Sequence, residues 1–188
     1  DKKYLVLESR DRMGGTWDLF RYPGIRSDSD MHTLGYSFKP WAQQKAIADG
    51  SDILNYVRET AAEYGVDKYI RYGYTLIKAS WESGLARWEL TISRVAEEPL
   101  IVNCHFLYSC TGYYRYDSGY MPDFDGVENF CGTLIHPQHW PEDLNYSATR
   151  GIVVCRGATA STIVHAITIQ AAARARSARI SASTCPMH

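Results

Sequence analysis

The sequence predicts an α/β protein in which an antiparallel β-meander is inserted between two βα units of a parallel sheet. An apolar run at residues 4–8 ends in an acid, and another apolar run after Arg150 leads into a glycine-containing turn and a helix start of small residues. Short apolar runs of this kind are typical of buried parallel strands. Between them lie three strand-like segments, residues 69–81, 86–95 and 100–110, which turn residues separate. Alternating apolar and polar side chains in the second segment indicate half-exposed antiparallel strands.

The composition is that of an ordinary globular protein. The 188 residues are 45% hydrophobic and 22% charged, and the net charge of -1 favours neither nucleic acid nor anionic lipid as a partner. No apolar run is long enough for a transmembrane span, so none is expected.

The cysteines and the first residues indicate the setting of the chain. The 5 cysteines form no C-x-x-C pair and no zinc-type spacing, and most of them lie within or beside apolar runs. We therefore expect buried free thiols in a reducing compartment, with a cytoplasmic location as the default. The chain starts without Met and runs at once into a strand, so we expect it to be cut from a longer protein.

The first predicted strand, residues 4–8, ends at Glu8 and is followed by a turn that contains Gly14 and Gly15. In dinucleotide-binding folds, an acid at a strand end accepts hydrogen bonds from ribose hydroxyls. A glycine-rich fingerprint should precede that acid by roughly 20 residues, and this span is absent from the chain. Taken alone, Glu8 is more simply a surface side chain. Residues 18–50 have little periodicity and are expected to form a long ordered loop, a type of segment that is usually functional.

The clearest helix is predicted over residues 51–64, with Ser51 as its cap and Gly65 as its stop. Its apolar face is expected to consist of Ile53, Leu54, Val57, Ala61 and Tyr64. The three meander strands follow, and the third is expected to continue as far as Cys110, Thr111 and Gly112.

A second glycine turn lies in the sequence VVCRGATA, residues 153–160. Such a turn lets backbone N–H groups at a helix start approach a pyrophosphate. Cys155 stands where a G-x-G-x-x-A motif has its first glycine, and its Cβ hinders that approach. The tail from Thr168 onward is rich in Arg, Ala and Ser and shows no return strand. It is expected to be a poorly specified end or the solvated face of a continuing helix.

The sequence FCGTLIHPQHWPED, residues 130–143, places His136 and His139 three positions apart. A metal site would require a third ligand, for which His105, His165 and His188 are remote candidates with no fixed geometry. Pro137 also argues against a shared helical face. A structural loop is therefore favoured over a metal site.

Together these motifs resemble those of the FAD- and NADPH-dependent Baeyer–Villiger monooxygenases. Five residues match their fingerprint F-x-G-x-x-x-H-x-x-x-W-P: Phe130, Gly132, His136, Trp140 and Pro141. The run GGTWDLFRYPGIRSDSD, residues 14–30, is similar to the flavin-side segment of the family. The sequence of these motifs is most similar to that of the ethionamide-activating branch. The similarity extends from residue 4 to about residue 166.

The resemblance implies a flavoprotein with two dinucleotide-binding domains, each built on a Rossmann-like parallel sheet. Residues 1–150 would be a partial FAD-binding domain that includes the meander (about 69–110) and the fingerprint, and residues 151–188 would begin the NADP-binding domain. NADPH would reduce FAD, and a flavin C4a-peroxide would insert one oxygen atom into a ketone or oxygenate sulfur or nitrogen. The implied partners are O2 and a small ketone, thioether or thioamide.

The resemblance also assigns the FAD contacts residue by residue. Glu8 matches the acid that binds the ribose, and Leu76 matches a backbone contact to the adenine. The ribityl and pyrophosphate side would be lined by Gly15, Thr16, Trp17 and Asp18. Thr111 and Gly112 match the turn at which the chain returns to the flavin domain.

The NADP and catalytic assignments follow in the same way. Asp28 matches a flavin-proximal aspartate that orients an essential arginine, and it is the catalytic residue of the set. Arg26, Ser27 and Asp28 would lie near bound NADP. The pyrophosphate loop matches Gly157, Ala158, Thr159 and Ala160. The fingerprint would couple the two domains without binding metal.

The chain also departs from the family pattern. Cys155 and Arg156 replace the expected Gly-Ser pair, and the glycine loop for FAD and the catalytic arginine have no counterpart in the sequence. We therefore expect a piece of such an enzyme, truncated at both ends. Two alternatives are an inactive remnant of the same enzyme and a related disulfide or quinone reductase. The absence of a C-x-x-C pair argues against the reductase.

Overall fold

The computed structural model describes residues 3–146, 149, 151–154, 157–174 and 180–183. The strands are β1 (Val6–Glu8), β2 (Ile70–Tyr72), β3 (Tyr74–Glu82), β4 (Arg87–Arg94), β5 (Leu100–Cys104), β6 (Gly151–Val154) and β7 (Ile180–Ser183). The α-helices are α1 (Thr16–Leu19), α2 (Met31–Leu34), α3 (Gly50–Glu63) and α4 (Ala158–Arg174). Short 3-10 helices lie at Asp67–Tyr69, Val127–Asn129 and Pro137–His139. Strands β1–β2 and β6–β7 are parallel pairs, and β3–β4–β5 is an antiparallel sheet, which confirms the predicted α/β class.

The chain divides into two compact units. Unit 1 consists of Asp1–Gly14 and Val57–Tyr114, and unit 2 consists of Gly15–Tyr56 and Arg115–His188. Both units are therefore discontinuous in sequence. The division expected at residue 150 concerns which cofactor each part binds, and these compact units do not test it. It stays a prediction.

In unit 1, the segment expected to form one strand over residues 69–81 forms two strands that belong to different sheets. β2 pairs in parallel with β1, with Glu8 opposite Tyr72, whereas β3 belongs to the antiparallel sheet. Gly73 separates them at φ 75°, a conformation that favours glycine, and its N–H donates to the Arg10 carbonyl over 3.0 Å. The periodicity of the segment did not reveal this break.

The meander of unit 1 is the antiparallel sheet β3–β4–β5. Leu90 and Ile92 on β4 are buried, whereas Glu89 is exposed and Thr91 and Ser93 are half-buried, which agrees with the alternation expected there. A cross-strand pair, Trp81 and Trp88, meets edge to face with ring centroids 5.4 Å apart.

The third meander strand ends earlier than the sequence predicted. β5 stops at Cys104, six residues short of Cys110, and Phe106 in the following segment is 81% exposed. The reason is the partner strand: β4 begins at Arg87, and Trp88 is already paired with Cys104. Beyond Cys104 only one β4 residue, Arg87, is left to pair, so the ladder cannot extend as far as Cys110.

Helix α3 begins at Gly50, one residue before the expected cap, and the N–H groups of Asp52 and Ile53 donate to the Asp49 carbonyl. Its stop at Gly65, with φ 65°, agrees with the prediction. The buried face is partly different, because Tyr64 is 49% exposed and Ala61 is half-buried. The positions that are buried are Ile53, Leu54, Tyr56 and Thr60.

Tyr56 belongs to the buried face because its phenol has polar partners. The Tyr36 N–H donates to the Tyr56 oxygen over 2.8 Å, and the Tyr56 hydroxyl donates to the Lys39 carbonyl. The ring also meets Trp41 edge to face at 5.3 Å. A tyrosine with a satisfied hydroxyl can be buried as an apolar side chain.

The long loop of residues 18–50 is ordered, as expected, and it supplies much of the core of unit 2. Met31, Trp41 and Ala48 are buried within it. Asp30 caps α2 by accepting from the Thr33 N–H and hydroxyl, both over 2.9 Å, and these hydrogen bonds lower the pKa of the Asp30 carboxyl.

Two expectations about the rest of the chain were wrong. β7 pairs in parallel with β6 across α4, so the tail does contain a return strand. Cys110 and Cys131 are exposed free thiols and Cys104 is half-buried, whereas buried thiols were expected. Cys155 and Cys185 lie outside the described residues. Within the part of the chain that is described, no helix has the length and apolarity needed to cross a bilayer.

Candidate functional site

The GGTW turn comprises residues 14–17. Unit 2 begins at its second residue, Gly15. Gly15 has φ 51° and ψ -125°, a conformation in which a side chain is strained, and its carbonyl accepts from the N–H groups of Asp18 and Leu19 at the start of α1. A Cβ added at Gly15 would lie 3.3 Å from the Tyr116 hydroxyl. The turn therefore requires glycine and lies directly beside Tyr116.

Asp18 anchors this turn from inside. Its side chain has 0% exposure and its Oδ1 lies 3.3 Å from Arg21 Nη2. Arg21 Nε also donates to the Asp18 carbonyl over 2.9 Å, while its Nη1 lies 3.4 Å from Glu142 Oε1. A buried carboxylate needs such a partner. Thr16 and Trp17, which the resemblance also assigned to this turn, are half-buried.

The next predicted group, Arg26–Ser27–Asp28, is held by its central residue. Ser27 is buried, its Oγ accepts from the Ala48 N–H over 3.0 Å, and its own N–H donates to the Ala48 carbonyl over 2.9 Å. Arg26 forms an isolated β-bridge with Asp49. Arg26 and Asp28 are exposed, so an anchored backbone presents them to solvent.

Gly24, in the RYPG part of the same loop, packs on helix α4. It has φ 80°, and a Cβ at this position would lie 2.5 Å from the Thr162 carbonyl oxygen and 2.9 Å from the Ala166 Cβ. Backbone cannot move aside as the end of a flexible side chain can. Glycine is therefore required for the loop to contact the helix that follows the second glycine turn.

The fingerprint segment, residues 130–141, contains a 3-10 turn that His136 caps. His136 Nδ1 accepts from the Gln138 N–H over 3.1 Å. A Cβ at Gly119 would lie 2.0 Å from His136 Cε1, so the backbone of Gly119 lies against the imidazole. Burial, and then the neighbouring His139, lower the pKa of His136.

Gln138 is the buried polar residue of this turn. Its Nε2 donates to the carbonyls of Arg115 and Tyr116, over 2.8 and 3.0 Å. One carboxamide therefore holds two consecutive peptide groups that are 23 and 22 residues away in the sequence.

The other fingerprint residues have more peripheral positions. Trp140 is half-buried and meets Tyr146 edge to face at 6.0 Å, and Pro141 is exposed. Phe130 folds over Gly132, where an added Cβ would lie 2.5 Å from the Phe130 ring.

The second glycine turn leads into α4. Gly157 has φ 103°, nothing lies within 4 Å of a Cβ added there, and the helix starts with Ala158, Thr159 and Ala160. The free N–H groups and positive dipole end of a helix favour an anion, and small residues leave room for a phosphate to approach. These residues fit a dinucleotide pyrophosphate. Cys155 and Arg156 lie outside the described residues.

The remaining predicted residues belong to unit 1. Glu8 ends β1, half-buried, and its Oε1 accepts from the Arg10 N–H over 2.9 Å and from the Ser9 hydroxyl over 3.4 Å. Burial first, then the Glu8 charge, raise the pKa of Tyr72 on the paired strand. Leu76 lies at a register irregularity in β3, and Thr111 and Gly112 are exposed.

Among the described residues, no group of three or more His, Cys, Asp or Glu side chains is arranged to hold a metal ion. The rings of His136 and His139 have centroids 6.4 Å apart.

Sequence reasoning missed the residues that join these motifs: Gln138, Gly119, Tyr116, Arg21 and Glu142. Gln138 occupies a variable position of the fingerprint, so the motif carried no signal for it. The one usable signal was Gly119, a glycine within a tyrosine-rich stretch, which indicates close backbone approach.

Comparison with known proteins identifies the family that the chain matches. Residues 33–184 match the family described as flavin-binding monooxygenase-like. The FAD-containing monooxygenase EthA of Mycobacterium tuberculosis H37Rv is 54% identical over 166 residues, which cover 88% of this chain and 34% of that protein. The probable FAD-binding monooxygenase AlmA of an Acinetobacter species is 44% identical over 163 residues, 87% of this chain and 33% of that protein. The chain thus spans about a third of the length of the curated relatives it matches.

Solved structures give the same result at lower identity. An oxidized steroid monooxygenase bound to NADP superposes with a TM-score of 0.75 at 25% identity, covering 94% of this chain and 33% of that one. The complex of OTEMO with FAD and NADP superposes with a TM-score of 0.69 at 28% identity, covering 94% of this chain and 34% of that one.

Proposed function

The chain belongs to the flavin-binding monooxygenase-like family, and from this premise we propose that it forms part of an FAD- and NADPH-dependent monooxygenase of the Baeyer–Villiger type. The proposed reaction is the insertion of one oxygen atom from O2 into a ketone, or the oxygenation of sulfur or nitrogen in a small molecule. Relatives named as FAD-containing, and a neighbour bound to FAD and NADP, support this choice of cofactors.

One observation carries the proposal: the fingerprint turn and the GGTW turn are joined within unit 2. Gln138 holds the Arg115 and Tyr116 carbonyls, and the Tyr116 hydroxyl lies beside Gly15. Two motifs that are far apart in sequence thus share one packed arrangement, which is what a fingerprint that supports a cofactor site requires.

We assign the FAD contacts to Glu8, to the GGTW turn, to Leu76 and to the turn at Thr111–Gly112. The Glu8 carboxylate fits a ribose, because the Arg10 N–H already orients one of its oxygens. Gly15 fits a pyrophosphate or ribityl chain, because it keeps a Cβ out of the turn. When bound, the flavin supplies the oxygen-transfer chemistry and the nicotinamide supplies the reducing equivalents, while the protein positions and shields both.

We assign the NADP contacts to the start of α4 and to the exposed side of the loop at Arg26–Asp28. Gly157 and the small residues of the first helical turn leave space for a pyrophosphate. The buried Ser27 fixes the backbone, so that the exposed Arg26 can meet an anionic group and Asp28 can orient a cationic side chain near the flavin. The division into an FAD part, residues 1–150, and an NADP part, residues 151–188, belongs to the same proposal.

Ketones, thioethers and thioamides are the proposed substrate classes. A cytoplasmic location is also proposed, and it is supported by the free thiols at Cys104, Cys110 and Cys131.

The test is a chimera in which this chain replaces the matching segment of the mycobacterial EthA relative. We expect purified chimera to carry a flavin absorbance spectrum and to oxidise NADPH faster when a ketone is added, with the ester as product. Glu8→Gln should weaken FAD binding about tenfold or more, because a hydrogen bond to a charged group is lost.

Glu59→Gln is the matched control, because Glu59 is exposed on α3 and outside the proposed site. It should bind FAD as the unsubstituted chimera does. A folded chimera that carries no flavin would refute the proposal and would favour an inactive remnant.

A further inference from the structure

The contacts between the fingerprint turn and residues 115–119 form a continuous series, called the link below, that ends at Gly15. The link starts at Gln138, which is 7% exposed and is the only buried polar side chain described within residues 130–141. A primary amide that donates to two carbonyls satisfies both of its N–H groups in one place, and the buried site keeps water from replacing them.

The amide itself is held in position from behind. The Gln138 N–H donates to His136 Nδ1, and the His136 ring lies against the backbone of Gly119. Residues 115–119 are therefore held at both ends by neighbouring residues of one short turn. This double attachment leaves the Arg115 and Tyr116 peptide groups little freedom to move away from the turn.

The far end of the link is Tyr116. A Cβ built on Gly15 would lie 3.3 Å from the Tyr116 hydroxyl oxygen. The phenol therefore packs beside Gly15, on the face of the GGTW turn where glycine has no side chain. A shift of the Tyr116 backbone by the length of one hydrogen bond would remove the phenol from that face.

We propose that Gln138 is a positioning residue that fixes the Tyr116 phenol against Gly15 and so sets the geometry of the GGTW turn. Its role toward a flavin rests on the proposed function, whereas the coupling of the two turns rests on the contacts alone. Gln138 acts through Tyr116 and touches no reacting group. Loss of its two hydrogen bonds should therefore loosen the GGTW turn while the remainder of the chain keeps its structure.

Hydrogen exchange of the 188-residue chain without cofactor tests the coupling. The readout is the protection of the Asp18, Leu19 and Phe20 amides, whose acceptors are the Gly15 and Thr16 carbonyls. Gln138→Leu should lower this protection about tenfold, and the amides of α3 should keep theirs. Gln43→Leu, the same change at an exposed glutamine, should alter neither.

Gln138→Glu adds a readout that a space-filling role would not affect. An ionised carboxylate between two carbonyl oxygens repels them and cannot donate, whereas its protonated form has one O–H to donate, and burial raises the pKa of such a group. Protection of the GGTW amides, corrected for intrinsic exchange, should be low at neutral pH and should recover in acid. Gln138→Leu should show no recovery.

Each other outcome overturns the proposal. Unchanged GGTW protection in Gln138→Leu would show that the turns are not coupled. An equal loss in α3 would show that Gln138 stabilises the whole fold and does not position one turn. A Gln138→Glu variant without pH dependence would show that the donated hydrogen bonds are not the cause.

FAD titration of the chimera then separates the two proposals. If the unsubstituted chimera binds FAD and Gln138→Leu binds it equally well, the positioning role toward the flavin is wrong while the proposed function stands. If no chimera binds FAD, the proposed function fails and the exchange result decides the coupling by itself.

Discussion

At the scale of single residues, this chain uses glycine where one segment must lie directly on another. Gly24 lies on the Thr162 carbonyl and Gly119 lies on the His136 imidazole, and in both cases a Cβ would come within 2.5 Å of another atom. His136 is half-buried, with the Gly119 backbone against its ring and the Gln138 N–H donating to its Nδ1. This partial burial, and then the neighbouring His139, lower the pKa of His136.

The lowered pKa of His136 predicts a pH dependence of stability. The folded pKa of His136 is lowered from 6.5, so the unfolded chain takes up the proton first as pH falls. The free energy of unfolding should therefore be unaffected by His136 well above pH 6.5 and should decrease as pH falls through and below that value. Urea denaturation between about pH 8 and pH 5 measures it.

His136→Asn is the variant that isolates this effect. Asparagine keeps a side-chain acceptor for the Gln138 N–H but does not titrate. Its stability should be lower at every pH, with a shallower decline toward acid. If the decline is as steep as in the unsubstituted chain, another group is responsible.

At the scale of elements, the residues available as hydrogen-bonding partners decided which face of α3 is buried and where β5 ends. The sequence pattern of α3 included Tyr64 in its apolar face, but the chain buries Tyr56 because the Tyr36 N–H and the Lys39 carbonyl satisfy its hydroxyl. Likewise, β5 ends close to the end of its partner strand, where only Arg87 of β4 is left to pair. Neither cause is visible within the element concerned.

The face of α3 leads to a stability prediction. Ile53 is 3% exposed, so Ile53→Ala should lower the free energy of unfolding by about 2–5 kcal/mol through lost burial and the cavity left behind. Tyr64→Ala, at a position that the sequence grouped with Ile53, should cost less than Ile53→Ala, because Tyr64 is 49% exposed. Urea denaturation of the two variants distinguishes the faces, and equal losses would support the face that the sequence predicted.

At the scale of the whole molecule, the chain covers about a third of the length of its curated relatives. The 188 residues include no G-x-G-x-x-G ahead of Glu8, the motif that brings backbone N–H groups to a pyrophosphate.

This partial coverage, together with the lack of that motif, predicts that the isolated chain binds FAD weakly or not at all. Equilibrium titration of the chain with FAD, followed by flavin fluorescence, measures the affinity. The EthA chimera is the comparison, and it should bind FAD more tightly because the rest of that FAD-containing relative is present. Tight stoichiometric binding by the isolated chain would contradict the prediction.

The sequence by itself determined the α/β class, the family and the order of the motifs. These depend on local patterns: apolar runs for parallel strands, alternation in β4, and the spacing of Phe130, Gly132, His136, Trp140 and Pro141. The roles that the resemblance gives to Glu8, Asp28 and the other site residues are predictions that the chimera has to test.

The tertiary structure decided what depends on contacts between distant residues. Gly73 separates two sheets because its neighbours on either side find different partner strands, and the tail forms β7 because β6 is available to pair with it. Gln138 matters because its amide meets carbonyls 22 and 23 residues away. A hydrogen bond between residues so far apart in the sequence produces no periodic pattern, because it involves a single side chain and not a repeated position.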